Sequence, residues 1–79
     1  MERNVIAEKV KKILSAVLKH EKFEMKDELQ ATEVEGWDSL SHITIISEIE
    51  EAFGIKFKLK ELNKLKNIGS LIDIVQSKL

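Results

Sequence analysis

Three side chains near the middle of this 79-residue sequence have types and spacing that could do chemistry: Asp38, Ser39 and His42. An acid, a hydroxyl and an imidazole are the parts of a nucleophilic triad, in which the base takes the hydroxyl proton and the acid holds the base. Ser39 and His42 are three apart and would be neighbours on a helix. Asp38, however, directly precedes the serine at the position of a helix cap, where it is poorly placed to orient His42 from behind. There is no G-x-S-x-G elbow, and a chain this short leaves no room for a substrate cleft. His42 falls toward the core side of its helix and reads as a packed or hydrogen-bonded histidine. The hydroxyl is therefore expected to be acted upon, by an enzyme that brings its own base. A helix N-terminus, with unpaired backbone N–H groups and the positive end of the dipole, would favour a phosphate attached there.

The element that must present this serine is a helix from about Ser39 to Phe53, with Asp38 as its N-cap and Gly54 placed for a left-handed stop. At roughly 100° per residue, Ile45, Ile46, Ile49, Ala52 and Phe53 fall on one side and can bury together. Leu40 and Ile43 fall nearer the other side, beside Thr44, Ser47, Glu50 and Glu51, with Glu48 at the edge. A helix that already has a core stripe has no internal need for outward apolar residues. Those beside an exposed serine suggest a docking surface.

The remaining pattern is helical throughout. A first helix is expected from about Arg3 to Lys19, with Ile6, Val10, Ile13, Leu14 and Val17 on one face. His20 then serves as a charge complement to its C-terminus. Residues 20–38 form a long connection in which Phe23, Leu29, Val34 and Trp37 pin the chain one at a time. Trp37 is a loop anchor or a shield for whatever Ser39 carries. Ile55 and Phe57 anchor a crossing, and Leu59, Leu62 and Leu65 suit a short, tight or 3₁₀-like turn. Asn67 caps a last helix lined by Ile68, Leu71, Ile72, Val75 and Leu79. The fold class is all-α: three main helices plus one short helix, in a single domain over residues 1–79.

Composition narrows the function classes. With no cysteine in the sequence, neither a disulfide nor a thiolate metal site can staple so small a core, which leaves aliphatic helix packing. The acids share no ligand spacing with His20 or His42, so no metal is expected. No apolar run approaches the ~20 residues of a membrane span, and Met1-Glu2-Arg3-Asn4 does not resemble a signal peptide. A cytoplasmic monomer is expected. Net charge is −1, yet residues 27–53 hold eight acidic and no basic groups, with the lysines and arginine in the flanking thirds. This acidic middle, with Ser39 inside it, steers basic partners and repels nucleic acid.

Asp38-Ser39-Leu40, followed by the amphipathic run to Glu50-Glu51-Ala52-Phe53-Gly54-Ile55, resembles the acyl carrier protein family over nearly the whole chain. The tripeptide alone is weak, and its pairing with E-E-x-F-G-I in a chain of this length is what carries the resemblance. The resemblance implies that Ser39 receives 4′-phosphopantetheine from coenzyme A through a phosphopantetheinyl transferase (a holo-acyl-carrier synthase). Asp38 would help to place the transferase's Mg²⁺, and Leu40 would be an apolar contact. It further implies that acyl groups travel as thioesters on the arm's thiol. An acyl-loading ligase or synthase and acyl-accepting enzymes would dock on Leu40, Ile43, Ser47, Glu50 and Glu51. Fatty-acid, polyketide or related acyl biosynthesis is the implied setting.

This chain departs from the fatty-acid-synthesis pattern. Ser41 and Thr44 stand two and five residues after the serine, where acids are usual, and Ser47 replaces a common apolar residue. Lys56, Lys58, Lys60, Lys64 and Lys66 enrich the last third, and Gly36-Trp37 precedes the motif. These features suit a specialised stand-alone carrier for a polyketide, peptide-like or surface-glycan acylation pathway. The other reading is an acidic helical interaction module that is never modified, which would share every feature except a reason for serine at position 39.

Overall fold

The computed structural model describes residues 2–79. Four α-helices follow in order: α1 over Arg3–Leu18, α2 over Ser39–Phe53, α3 over Leu59–Leu62 and α4 over Ile68–Lys78. One 3₁₀ turn, Ala31–Glu33, interrupts the long connection between α1 and α2. The fold is all-α among the described residues, with three main helices and one short one, as the hydrophobic periodicity predicts.

The core forms where the helical stripes meet. Ile6, Val10 and Leu14 of α1, Ile45 and Ile49 of α2, and Ile68 and Val75 of α4 are almost completely buried. α1 packs against both α2 and α4. These side chains are aliphatic and lie at spacings of four and seven, so each helix turns one stripe into the common core. Ile13 and Val17 complete the face of α1 as partly buried neighbours, and Phe53 does the same for α2. Lys9 additionally sits with its ammonium 5.5 Å from the Phe53 ring centroid.

The connection is pinned as its scattered apolar residues suggest: Leu29 and Val34 are buried, and Phe23 and Trp37 are half-buried. The 3₁₀ turn within it is locally determined, with Glu33 Oε1 accepting from Gln30 N–H at 2.9 Å. Leu29 is held by its backbone, whose carbonyl accepts from Ile68 N–H at 2.9 Å, while the Asp27 carbonyl accepts from Gly69 N–H. The connection thus lies directly on the start of α4. Arg3 reinforces the same corner by pairing with Asp27 and Asp73.

Three expectations require correction. Ala52 is exposed, because the buried stripe of α2 is narrower than an arc drawn through Phe53. Leu79 is half exposed, since α4 ends at Lys78 and its last residue lies beyond the core. The Leu59 to Leu65 segment holds the expected short helix, as one α-helical turn, with Leu59 largely exposed. That turn is fastened by Lys78, whose ammonium lies 2.8 Å from Glu61 Oε1. His20 bridges two backbone sites rather than complementing the end of α1 as a charge. Its Nδ1 accepts from Lys22 N–H, which leaves Nε2–H to donate to the Glu35 carbonyl at 2.6 Å.

The close approach of α4 to the connection depends on Gly69. A Cβ there would lie 2.9 Å from Asp27 Cβ and 3.2 Å from the Asp27 carbonyl oxygen. Gly69→Ala is expected to lower stability by about 1–2 kcal/mol, because overpacking outweighs the gain in helix propensity. Urea titration of the two chains measures this.

Candidate functional site

The site is the first turn of α2 and the loop that delivers it. Gly36, at φ +85°, takes a left-handed conformation that few side chains tolerate, and it turns the chain into the cap. Asp38 is extended, and its Oδ1 accepts from Leu40 N–H at 3.0 Å and Ser41 N–H at 2.9 Å. The Ser41 hydroxyl closes the loop in return, accepting from Asp38 N–H at 2.8 Å and donating to the Gly36 carbonyl at 2.7 Å. This reciprocal arrangement is a capping box with serine in place of the usual Glu or Gln. Asp38 is held below the ordinary carboxylate range, first by the Ser41 backbone N–H, then by the Ser41 hydroxyl. Hydrogen bonds to the ionised form favour it.

Ser39 and Ser41 therefore have opposite roles. Ser41 is engaged by the backbone on both sides of the cap. Ser39 is exposed, and no hydrogen bond among the described residues engages its hydroxyl. The expected pool of free N–H groups beside it is smaller than sequence alone suggests. Asp38 takes those of Leu40 and Ser41 with its side chain and that of His42 with its carbonyl. What the helix start still offers an anion is its dipole and the Ser39 N–H.

The surroundings leave the hydroxyl accessible. It borders an open groove of about 260 Å³ formed with Ala31, Trp37, Asp38 and His42. Leu40 and Ile43 are 78% and 66% exposed, the most solvent-facing apolar side chains of α2. Ser47 and Glu51 are exposed beside them. Glu50 differs from its neighbours: it is half-buried, and its Oε2 accepts from Phe57 N–H at 2.8 Å. That carboxylate fastens the α2–α3 crossing, a structural contact that the expected docking role of Glu50 did not include. Its i+7 partner lies in irregular chain, where periodicity gives no signal.

His42, rejected above as a base, is hydrogen-bonded as expected. Trp37 Nε1–H donates to its Nδ1 at 3.1 Å, and the two rings lie near parallel with centroids 6.1 Å apart. An imidazole engaged in this way has no lone pair aimed at Ser39 and no acid behind it. The Trp37–His42 pairing is the feature that the sequence reading missed. Two polar aromatic residues five apart across a helix start were its only trace.

Comparison with known proteins gives this geometry its class. The phosphopantetheine attachment site family matches residues 8–75. The acyl carrier protein of Thermotoga maritima is 29% identical over 77 residues, covering 98% of this chain and 95% of that protein. The acyl carrier protein of Thermosynechococcus vestitus is 31% identical over 78 residues, covering 99% and 96%. The solution structure of the holo acyl carrier protein from Geobacter metallireducens superposes with a TM-score of 0.85 at 37% identity, over 92% of this chain and 84% of that one.

The chain belongs to the phosphopantetheine-binding acyl carrier family. It is a carrier of the 4′-phosphopantetheine prosthetic group rather than a catalyst. An unengaged hydroxyl at an open helix start fits that group, since a phosphodiester there meets solvent and the helix dipole and a linear chain can leave along the groove. Among the described residues, no helix is long and apolar enough to cross a membrane.

Two predictions follow from the cap and from Glu50. The Asp38 carboxyl has a depressed folded-state pKa, so its stabilisation is fully present above the unfolded value and is lost as pH falls through the folded one. Asp38→Asn keeps the cap without the charge. Its deficit in urea midpoint relative to wild type is expected to shrink as pH falls below about 4. Glu50→Ala, which leaves the Phe57 N–H without its partner, is expected to cost about 1–2 kcal/mol. Glu51→Ala should change stability by no more than about 0.5 kcal/mol in the same titration.

Proposed function

We propose that Ser39 carries the 4′-phosphopantetheine arm and that the chain, as a single unit over residues 1–79, delivers acyl groups between enzymes. When bound, the arm supplies a thiol that holds an acyl group as a thioester, which the cysteine-free polypeptide cannot do itself. The observation that carries this reading is the free, exposed hydroxyl of Ser39 beside the fully engaged hydroxyl of Ser41. A phosphopantetheinyl transferase acting here needs an accessible oxygen and supplies the base that the chain lacks. Asp38 keeps its charge at the opening of the groove, where it can help to hold that enzyme's Mg²⁺.

Leu40 and Ile43, flanked by Ser47 and Glu51, are the face that partners meet. Their exposure and the acidic middle of the chain support docking by enzymes with apolar contacts ringed by lysine and arginine. A carrier that visits several enzymes requires weak, exchangeable contacts, and a small apolar patch provides them. The partners are a transferase, an acyl-loading ligase or synthase, and acyl-accepting enzymes, with the carrier acting as a cytoplasmic monomer. Ser41 and Thr44 in place of acids, and the lysines from Lys56 to Lys66, favour a specialised acylation pathway over housekeeping fatty-acid synthesis. In particular, Ser41 is committed to the cap, so that position presents no charge to a partner.

Co-expression with a promiscuous phosphopantetheinyl transferase tests the assignment. The wild-type chain is expected to gain a mass on the order of 340 Da, once, and Ser39→Ala to gain nothing. An unchanged wild-type mass across several transferases would overturn the assignment and favour an unmodified interaction module.

A further inference from the structure

Three concavities meet at one side chain. His42 borders the groove at Ser39, the larger groove between α2 and α3, and a small cavity beneath Trp37. The indole Nε1–H can only donate, so its bond to His42 Nδ1 places the proton of the neutral imidazole on Nε2. The hydrogen-bonded indole also fixes the ring plane, the two rings lying 26° from parallel. Nε2–H has no partner among the described residues. It is not sealed either, since Ser15 Oγ alone among them is a buried side-chain polar atom lacking a hydrogen bond. A donor with its tautomer and orientation already set thus stands open to solvent one helical turn from the modifiable hydroxyl, an axial rise of about 4.5 Å.

We propose that His42 is a positioning residue for the arm: its Nε2–H donates to an oxygen of the tether near Ser39, either the phosphodiester or the adjoining hydroxyl or amide carbonyl. This rests on attachment at Ser39. The cavity under Trp37 is only about 30 Å³, too small for more than a water or two. The α2–α3 groove is about 420 Å³, with Ile46 and Leu62 among its lining residues. A tether held at His42 is therefore directed into the α2–α3 groove, past Ile43 and toward Asn63. Trp37 acts through His42, by fixing its tautomer and ring plane.

The test uses ¹⁵N-labelled chain before and after modification, at a pH where imidazole is neutral, with intact mass recorded on the same samples. Long-range ¹H–¹⁵N spectra should show His42 protonated at Nε2 before modification. After modification the Nε2 resonance should move and exchange of its proton with water should slow about fivefold, as one net hydrogen bond implies. His20, whose two nitrogens are both engaged, should not change. In the modified protein, alkylation of the arm's thiol should be about fivefold faster in His42→Leu than in wild type and near wild type in His42→Gln, which retains a donor. Trp37→Phe should approach the leucine variant, and backbone spectra establish that each variant is folded. A ³¹P shift that differs between wild type and His42→Leu would assign the phosphodiester as acceptor; an unchanged one would assign the neighbouring oxygen. A sample that gains the mass at Ser39 but shows no change at His42 and equal alkylation rates overturns the role of His42 alone. A sample that gains no mass removes the attachment on which it rests.

Discussion

The site depends on the grip of the Asp38 carboxylate on the first turn of α2. By accepting from Leu40 and Ser41 N–H, it makes Ser39 the first helical residue and turns that side chain away from the bundle. The same clasp draws the Ser41 hydroxyl back against Gly36 and Asp38. Two serines of equal intrinsic chemistry, two positions apart, are thereby given different work: one closes the cap, and the other faces solvent. A chain with a looser start to this helix would present both hydroxyls as alternatives, and an enzyme reading the surface would have no single target.

The rest of the fold holds that turn steady without covering it. The inward isoleucines of α2 join the common core, with α2 packed on α1, which leaves the outward Leu40 and Ile43 uncommitted. The Asp27–Gly69 contact and the bond from Ile68 N–H to the Leu29 carbonyl tie the long connection to the start of α4. At the far side, the Glu50 carboxylate and the Lys78–Glu61 pair fasten the crossing and α3. A single-core protein of this size has little stability to spare, and polar fasteners of this sort secure the segments its core does not reach.

Much of this was legible in the residues. Helical spacing identified the buried stripes because aliphatic side chains at i, i+3 and i+4 have few other uses in so short a chain. Asp38 and Asn67 declared themselves as caps, and both accept from N–H groups in the first turn as expected. The reading faltered where the deciding partner is distant or the chain irregular. Nothing in Glu50 announces that it will reach Phe57. His20 and Lys22 show no sign of sharing a ring nitrogen, and the exposure of Leu59 follows from where α3 comes to rest rather than from its repeat. The Trp37–His42 pairing belongs to the same class, since it needs the geometry of the cap before either ring has a direction.

The central claim is that one hydroxyl, at Ser39, is the point of attachment. Fragmentation of the modified peptide spanning Gly36 to Glu48 tests it most directly, because that stretch contains Ser39, Ser41, Thr44 and Ser47 together. The geometry of the cap requires the added mass on Ser39 alone. Added mass on Ser41, Thr44 or Ser47 would contradict the account.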